Sequence, residues 1–148
     1  MLDAYNAGTC DAMTADRSAL AAQRMGFDQP DAHTLLPEVI SKEPLGPVVR
    51  KADPVWAGIV RWVLFALINA EESGHSRDRV PAAQADKADV PPLSDHLPRD
   101  WYESIVRTVG NYGDMFERNL GKETPLGIER GVNALWTQGG ILYAPPLR

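Results

Sequence analysis

The chain has 148 residues, 44% apolar and 24% charged, with a net charge of −5 and a pI near 5.1. That is the size and balance of one soluble domain with a single core. An acidic chain whose lysines and arginines are scattered singly is a poor match for nucleic acid or an anionic membrane, so neither is expected as a partner.

Residues 1–13 lack the basic start and apolar core of a signal peptide. Residues 3–6 read as the end of a helix before a turn at Gly8, and TCDAMTAD (residues 9–16) as a short segment of strand type. Cys10, the one cysteine, cannot form an internal disulfide and reads as a small buried residue rather than a nucleophile. Asp16 then opens a helix, RSALAAQRM, with Gly26 just past its end. DQPD at 28–31 is a turn.

From 34 to 51 the run TLLPEVISKEPLGPVVRK reads as two strands: Pro37, Pro44 and Pro47 exclude a helix, and Val39, Ile40, Val48 and Val49 favour extension. Pro54 starts a long helix over residues 55–73, closed by Gly74, in which Trp56, Ile59, Val60, Val63, Leu64 and Leu67 recur at helical spacing and predict one broad buried face. Its apolar run, 62–70, is about half as long as a spanning helix. Residues 76–98, rich in Ala, Asp and Pro, read as a loop or weakly ordered connection. Helices are predicted over 99–109, 112–119 and 128–136, followed by an extended tail, GGILYAPPLR. The sum is an α/β chain whose small sheet is underpopulated.

Little of this carries reaction chemistry. There is no phosphate loop, metal-ligand spacing or nucleophile motif, so no catalytic residue, metal or cofactor is expected. His33, His75 and His96 lie far apart and read as exposed loop residues, and Glu71–Glu72 as a solvated helix end. Asp16 has two readings. As an N-cap its carboxylate accepts from the first free amides of the helix. At the carboxyl end of a strand, where open α/β sheets place ligands, it could instead pair with a ligand ammonium.

Four segments, AGTCDAMTADRSALAAQR (7–24), LPEVISKEPLGPVVRKAD (36–53), WAGIVRWVLFALINAEESG (56–74) and the tail VGNYGDMFERNLGKETPLGIERGVNALWTQGGILYAPPLR (109–148), together resemble the extracytoplasmic solute-binding proteins of amino-acid ABC importers. The general L-amino-acid-binding subfamily is the nearest, and the tail is the most specific part of the likeness. The resemblance implies a type 2 periplasmic-binding-protein fold of two α/β lobes, with only its C-terminal portion present and the N-terminal half missing. Residues 1–38 would end the second lobe, 39–50 would form a hinge-crossing strand, and 51–148 would be the C-terminal part of the first lobe.

It also implies that the chain is periplasmic, that an L-amino acid is captured between the lobes for an ABC permease, and that Asp16 meets the ligand ammonium with Thr14 as its neighbour. The groups gripping the ligand carboxylate would lie upstream, as would a cysteine partner for Cys10. Two alternatives stand beside this reading. One is a dimeric interaction protein or non-binding remnant, a homo-oligomer through uncovered sheet edges. The other is a dehydratase-like enzyme on the same fold, for which no acid other than Asp16 can be placed.

Overall fold

The computed structural model describes residues 1–80 and 97–147. Most of the weak stretch expected at 76–98 therefore lies outside the described residues, as does His96. In chain order the helices are α1 (Leu2–Asn6), α2 (Arg17–Arg24), α3 (Pro54–Glu72), α4 (Trp101–Val109) and α5 (Tyr112–Asn119), with single 3₁₀ turns at Pro30–Ala32, Gly131–Asn133 and Trp136–Gln138.

Helix α3 organises the molecule, packing against both α4 and α5. It starts where Pro54, with φ preset, follows Asp53, whose carboxylate accepts the Trp56 N–H at 2.9 Å. Its C-terminal half carries the burial, through Ala66, Leu67, Ile68 and Ala70. The broad buried face expected from its periodicity is thus only partly formed, since Val55 and Trp56 are about half exposed and Ile59, Val60, Val63 and Leu64 are half-buried. By length and mean hydropathy α3 could cross a bilayer. Its packed second half and its buried ion pair, described below, instead make it a core helix.

Three small apolar clusters ring α3 and α5. Ile68 meets Leu135 and Ala144 of the tail; Ala70 meets Val106 of α4 and Val80; Ala21 of α2 meets Phe116 of α5 and Ile128. The α4–α5 joint is made by Gly110, at φ +81°, where a Cβ would sit 2.5 Å from the Asp114 carboxylate. That carboxylate accepts the Asn111 N–H at 3.0 Å while Asn111 Oδ1 accepts the Asp114 N–H at 2.9 Å, a reciprocal capping box. Asn111 Nδ2 also donates to the His75 carbonyl at 2.7 Å, fastening the start of α5 to the end of α3.

An ion pair locks the same corner. Arg130 donates to both oxygens of Glu71, at 3.0 and 3.1 Å, and to the Asn133 carbonyl, while its guanidinium lies over the rings of Tyr112 and Phe116. Both side chains are largely buried, with 17% and 12% of their surfaces exposed. Gly113 makes room for them, since a Cβ there would come within 2.8 Å of Arg130 Nη1. Glu71 is therefore not the solvated helix end expected from sequence. Glu72, beside it, accepts from Trp136 Nε1 at 3.2 Å.

Other expectations change as well. The helix expected over 128–136 is replaced by two 3₁₀ turns, because Gly131 takes φ +49° and Arg130 turns inward to Glu71. The tail is extended as expected but folds back on itself, with an isolated bridge between Leu135 and Leu142, and Asn69 Nδ2 holds the Pro145 carbonyl at 2.8 Å. The histidines at 33 and 75 are half-buried and tyrosine-bonded rather than loose. Nδ1 of His33 meets Tyr5 Oη at 2.7 Å, and Nδ1 of His75 meets Tyr102 Oη at 2.8 Å. Burial of Tyr102 pushes its phenol above the ordinary tyrosine value. Cys10, expected to be buried, is exposed.

The small sheet does not form among the described residues. TCDAMTAD and residues 34–51 are extended or irregular, yet no ladder joins them to anything. A strand needs a neighbour to receive its backbone groups, and this part of the chain supplies none.

Candidate functional site

Asp16 sits where the extended run 12–16 turns into α2, at φ −53° and ψ 139°. Its carbonyl accepts the Leu20 N–H at 2.9 Å, so the backbone occupies the cap position. The side chain does not cap: it accepts no hydrogen bond from the helix. Among the described residues the carboxylate also has no ion-pair partner, although it is half-buried. The cap reading is thereby weakened, and a fixed, unengaged acceptor remains. Thr14 lies two residues earlier on the same run and is exposed.

Helix α2 is anchored by Ala21, which is fully buried against Phe116 and Ile128. Asp16 is therefore held by a helix seated on the core. On the adjoining surface Arg17, Arg24, Asp31, His33 and Thr34 rim a depression of about 320 Å³ floored by Leu35, Leu126 and Ile128. Sequence reasoning did not find this depression, because its sides come from segments more than ninety positions apart. Asp16 is not among its lining residues. Nearby, Lys122 pairs with Glu129 at 2.9 Å on the surface; the hydrogen bond to Lys122 holds the Glu129 carboxyl below its ordinary value.

The described residues contain no cluster of His, Cys, Asp and Glu able to hold a metal ion. Chemically, the arrangement around Asp16 offers one charged acceptor on a rigid support. That suits a cationic group of a ligand, and half of a binding site more than a whole one.

Compared with protein-family models, the chain matches none. Curated relatives are clear. The general L-amino acid-binding periplasmic protein AapJ of Rhizobium johnstonii is 46% identical over 157 aligned residues, covering 98% of this chain and 46% of that protein. The putative amino-acid ABC transporter-binding protein YhdW of Escherichia coli is also 46% identical, with the same coverage. The glutamate/glutamine/aspartate/asparagine-binding protein BztA of Rhodobacter capsulatus is 42% identical over 97% of this chain.

Among solved structures, an ABC transporter periplasmic binding protein from Brucella ovis with glutathione bound superposes with a TM-score of 0.85 at 43% identity. It covers 99% of this chain and 50% of that one. By sequence and by fold the chain is similar to about half of a periplasmic binding protein of amino-acid ABC transporters: it spans about half the length of the curated relatives it matches.

Proposed function

We propose that this chain supplies the C-terminal half of a solute-binding protein that captures an L-amino acid between two lobes and delivers it to an ABC permease in the periplasm. The fold match to half of a periplasmic binding protein, across 99% of the chain, carries this reading. Within it, residues 1–38 end the second lobe, 39–50 cross the hinge, and 51–148 complete the first lobe. Solute capture by lobe closure needs no catalytic group.

Asp16 is the residue we assign to the ligand, with Thr14 beside it. Its unengaged carboxylate supports that role over the cap. An α-ammonium is a suitable partner because a charge-assisted bond gains strength when the closing lobes remove water. Glutathione, bound in the Brucella ovis neighbour, carries an α-ammonium and α-carboxylate just as a free amino acid does. An aspartate reading that head group serves either ligand, and the side-chain pocket then decides between them.

One open carboxylate contributes only about 1 kcal/mol, whereas a Kd of 1 mM needs roughly 4 kcal/mol. The chain alone should therefore show no amino-acid binding below about 1 mM in isothermal titration. A chimera tests the assignment directly: this chain replaces the matching half of the Rhizobium johnstonii protein. We expect the chimera to bind amino acids, and Asp16→Asn to weaken binding by at least about 100-fold, the cost of removing one partner of a buried pair. A chimera that binds equally well with Asn at this position would refute the role of Asp16. A micromolar isotherm from the unaided chain would refute its being half a site.

Exposed Val39, Ile40, Leu45 and Val48 favour a second requirement, a covering partner. Either another copy of the chain or a complementary polypeptide could meet it.

A further inference from the structure

We infer that the depression between α2 and residues 126–128 is a binding site for a small monocarboxylate with an apolar body. It is separate from the ligand role assigned to Asp16, which does not line it, and it does not depend on that role.

The site begins with spacing. Arg17, Ala21 and Arg24 stand at i, i+4 and i+7, so they share one face of α2. Ala21 is fully buried against Phe116 and Ile128, and its small side chain lets the helix lie close to them. The two arginines flank that contact and line the depression over Ile128 and Leu126, where long stems can cover apolar surface while the charged heads stay at the rim. Every wall belongs to this chain, from residues 17–35 on one side and 126–128 on the other.

Charge at the rim is unbalanced. Arg24 is half-buried, yet among the described residues its guanidinium donates no hydrogen bond and forms no ion pair. Arg17 acts on Glu129 through space, but that carboxylate already bonds Lys122 at 2.9 Å. Asp31 is the acidic member of the rim, so two guanidiniums meet one carboxylate and a positive charge is left over.

His33 adds a polar group held in place by its neighbours. Its Nδ1 meets Tyr5 Oη at 2.7 Å, and its ring lies 4.3 Å from that of Phe27. With the Tyr5 hydroxyl donating to Nδ1, the imidazole proton sits on Nε2 and is available to a carboxylate.

The ligand class follows from rim and floor together. Inorganic phosphate would use the guanidiniums and leave Leu35, Leu126 and Ile128 in water. A neutral hydrocarbon would leave the surplus charge unmet, and a zwitterionic amino acid would set its ammonium against it. A carboxylate on a ring or short chain meets both parts of the site, and about 320 Å³ suits a molecule of that size.

Two-dimensional NMR of the isotopically labelled full chain tests this with benzoate, hexanoate, inorganic phosphate and leucine. Benzoate and hexanoate should shift the amide signals of Arg24, Thr34, Leu35 and Gly127 saturably and leave those of α4 unmoved. Arg24→Gln should weaken benzoate at least about tenfold, the loss of a hydrogen bond to a charged group. Arg24→Lys, which keeps the charge without the planar fork, should weaken it less. Neither substitution should change the melt, because the side chain has no other partner among the described residues.

Phosphate or leucine binding as tightly as benzoate would overturn the ligand class. Absence of saturable shifts, or an Arg24→Gln chain that binds benzoate unchanged, would overturn the site. The titration is repeated on the chimera that supplies the other half of the fold. Benzoate binding should persist there, and its loss would overturn the inference, because the depression would then be a face that the rest of the fold covers. Amino-acid binding by the chimera is read separately and should be indifferent to Arg24→Gln, so this inference and the solute-binding reading fail independently.

Discussion

Between Pro54 and Leu147 the described chain closes on itself. Helices α3, α4 and α5 pack around shared clusters, the tail returns to α3 through Asn69, and Glu71 and Arg130 join positions 59 residues apart. Between Met1 and Asp53 only Ala21 is buried, although that region holds as many apolar residue types as the other. Composition does not explain the contrast. In a helix, residues three and four apart share a face and meet a neighbouring helix within a short stretch of chain. In a strand, alternate residues face opposite ways and must be covered by elements that come from elsewhere. The packed region thus carries its own partners, whereas the extended segments of the other have none among the described residues.

Three substitutions would break or sharpen this contrast. Arg130→Ala should have the largest effect, because it leaves Glu71 charged and largely buried. A loss of about 3–5 kcal/mol is expected in urea denaturation, and a loss below about 1 kcal/mol would show that the pair is not a keystone of the packed region. Asn111→Ala removes a cap and the bond to the His75 carbonyl. It should cost about 1–2 kcal/mol by the same measurement. Ile40→Asp lies in the other region and should change the stability of the isolated chain by no more than about 0.5 kcal/mol. A loss comparable to that of Arg130→Ala would mean that residues 36–50 are already packed.

Much of the packed region was legible in the sequence. Helix α5 has the bounds the sequence predicts, because glycine at 110 and 121 punctuates it; the Asn111 cap is visible only in the structure. Helix α3 was displaced by a single residue at each end, its start marked by Asp53 and Pro54. Contacts between distant elements were not legible. Nothing in the local pattern separates Glu71, in a buried pair, from Glu72 beside it, and nothing announced that Arg130 would turn inward and replace a helix with tight turns.

The strands failed for a different reason. Residues 34–51 have the composition of strands, but a strand forms only with a partner, and composition says nothing about whether one is present. Asp16 lies between these cases. Its position at the head of α2 was evident, yet only the structure shows that the side chain leaves the helix uncapped. Family likeness was plainest in the tail, and the structure gives that tail a packing role: Leu135 and Ala144 close over Ile68.

Residue-resolved amide hydrogen exchange on the isolated chain tests the division between the two regions most directly. The amides of residues 64–70, 104–109 and 116–120 should be the slowest, limited by cooperative opening of the packed helices. Those of residues 38–43 should exchange as fast as an unstructured peptide. Slow exchange across 38–43 in the chain alone, matching that of α3, would contradict the account, because the segment would then be packed within the chain.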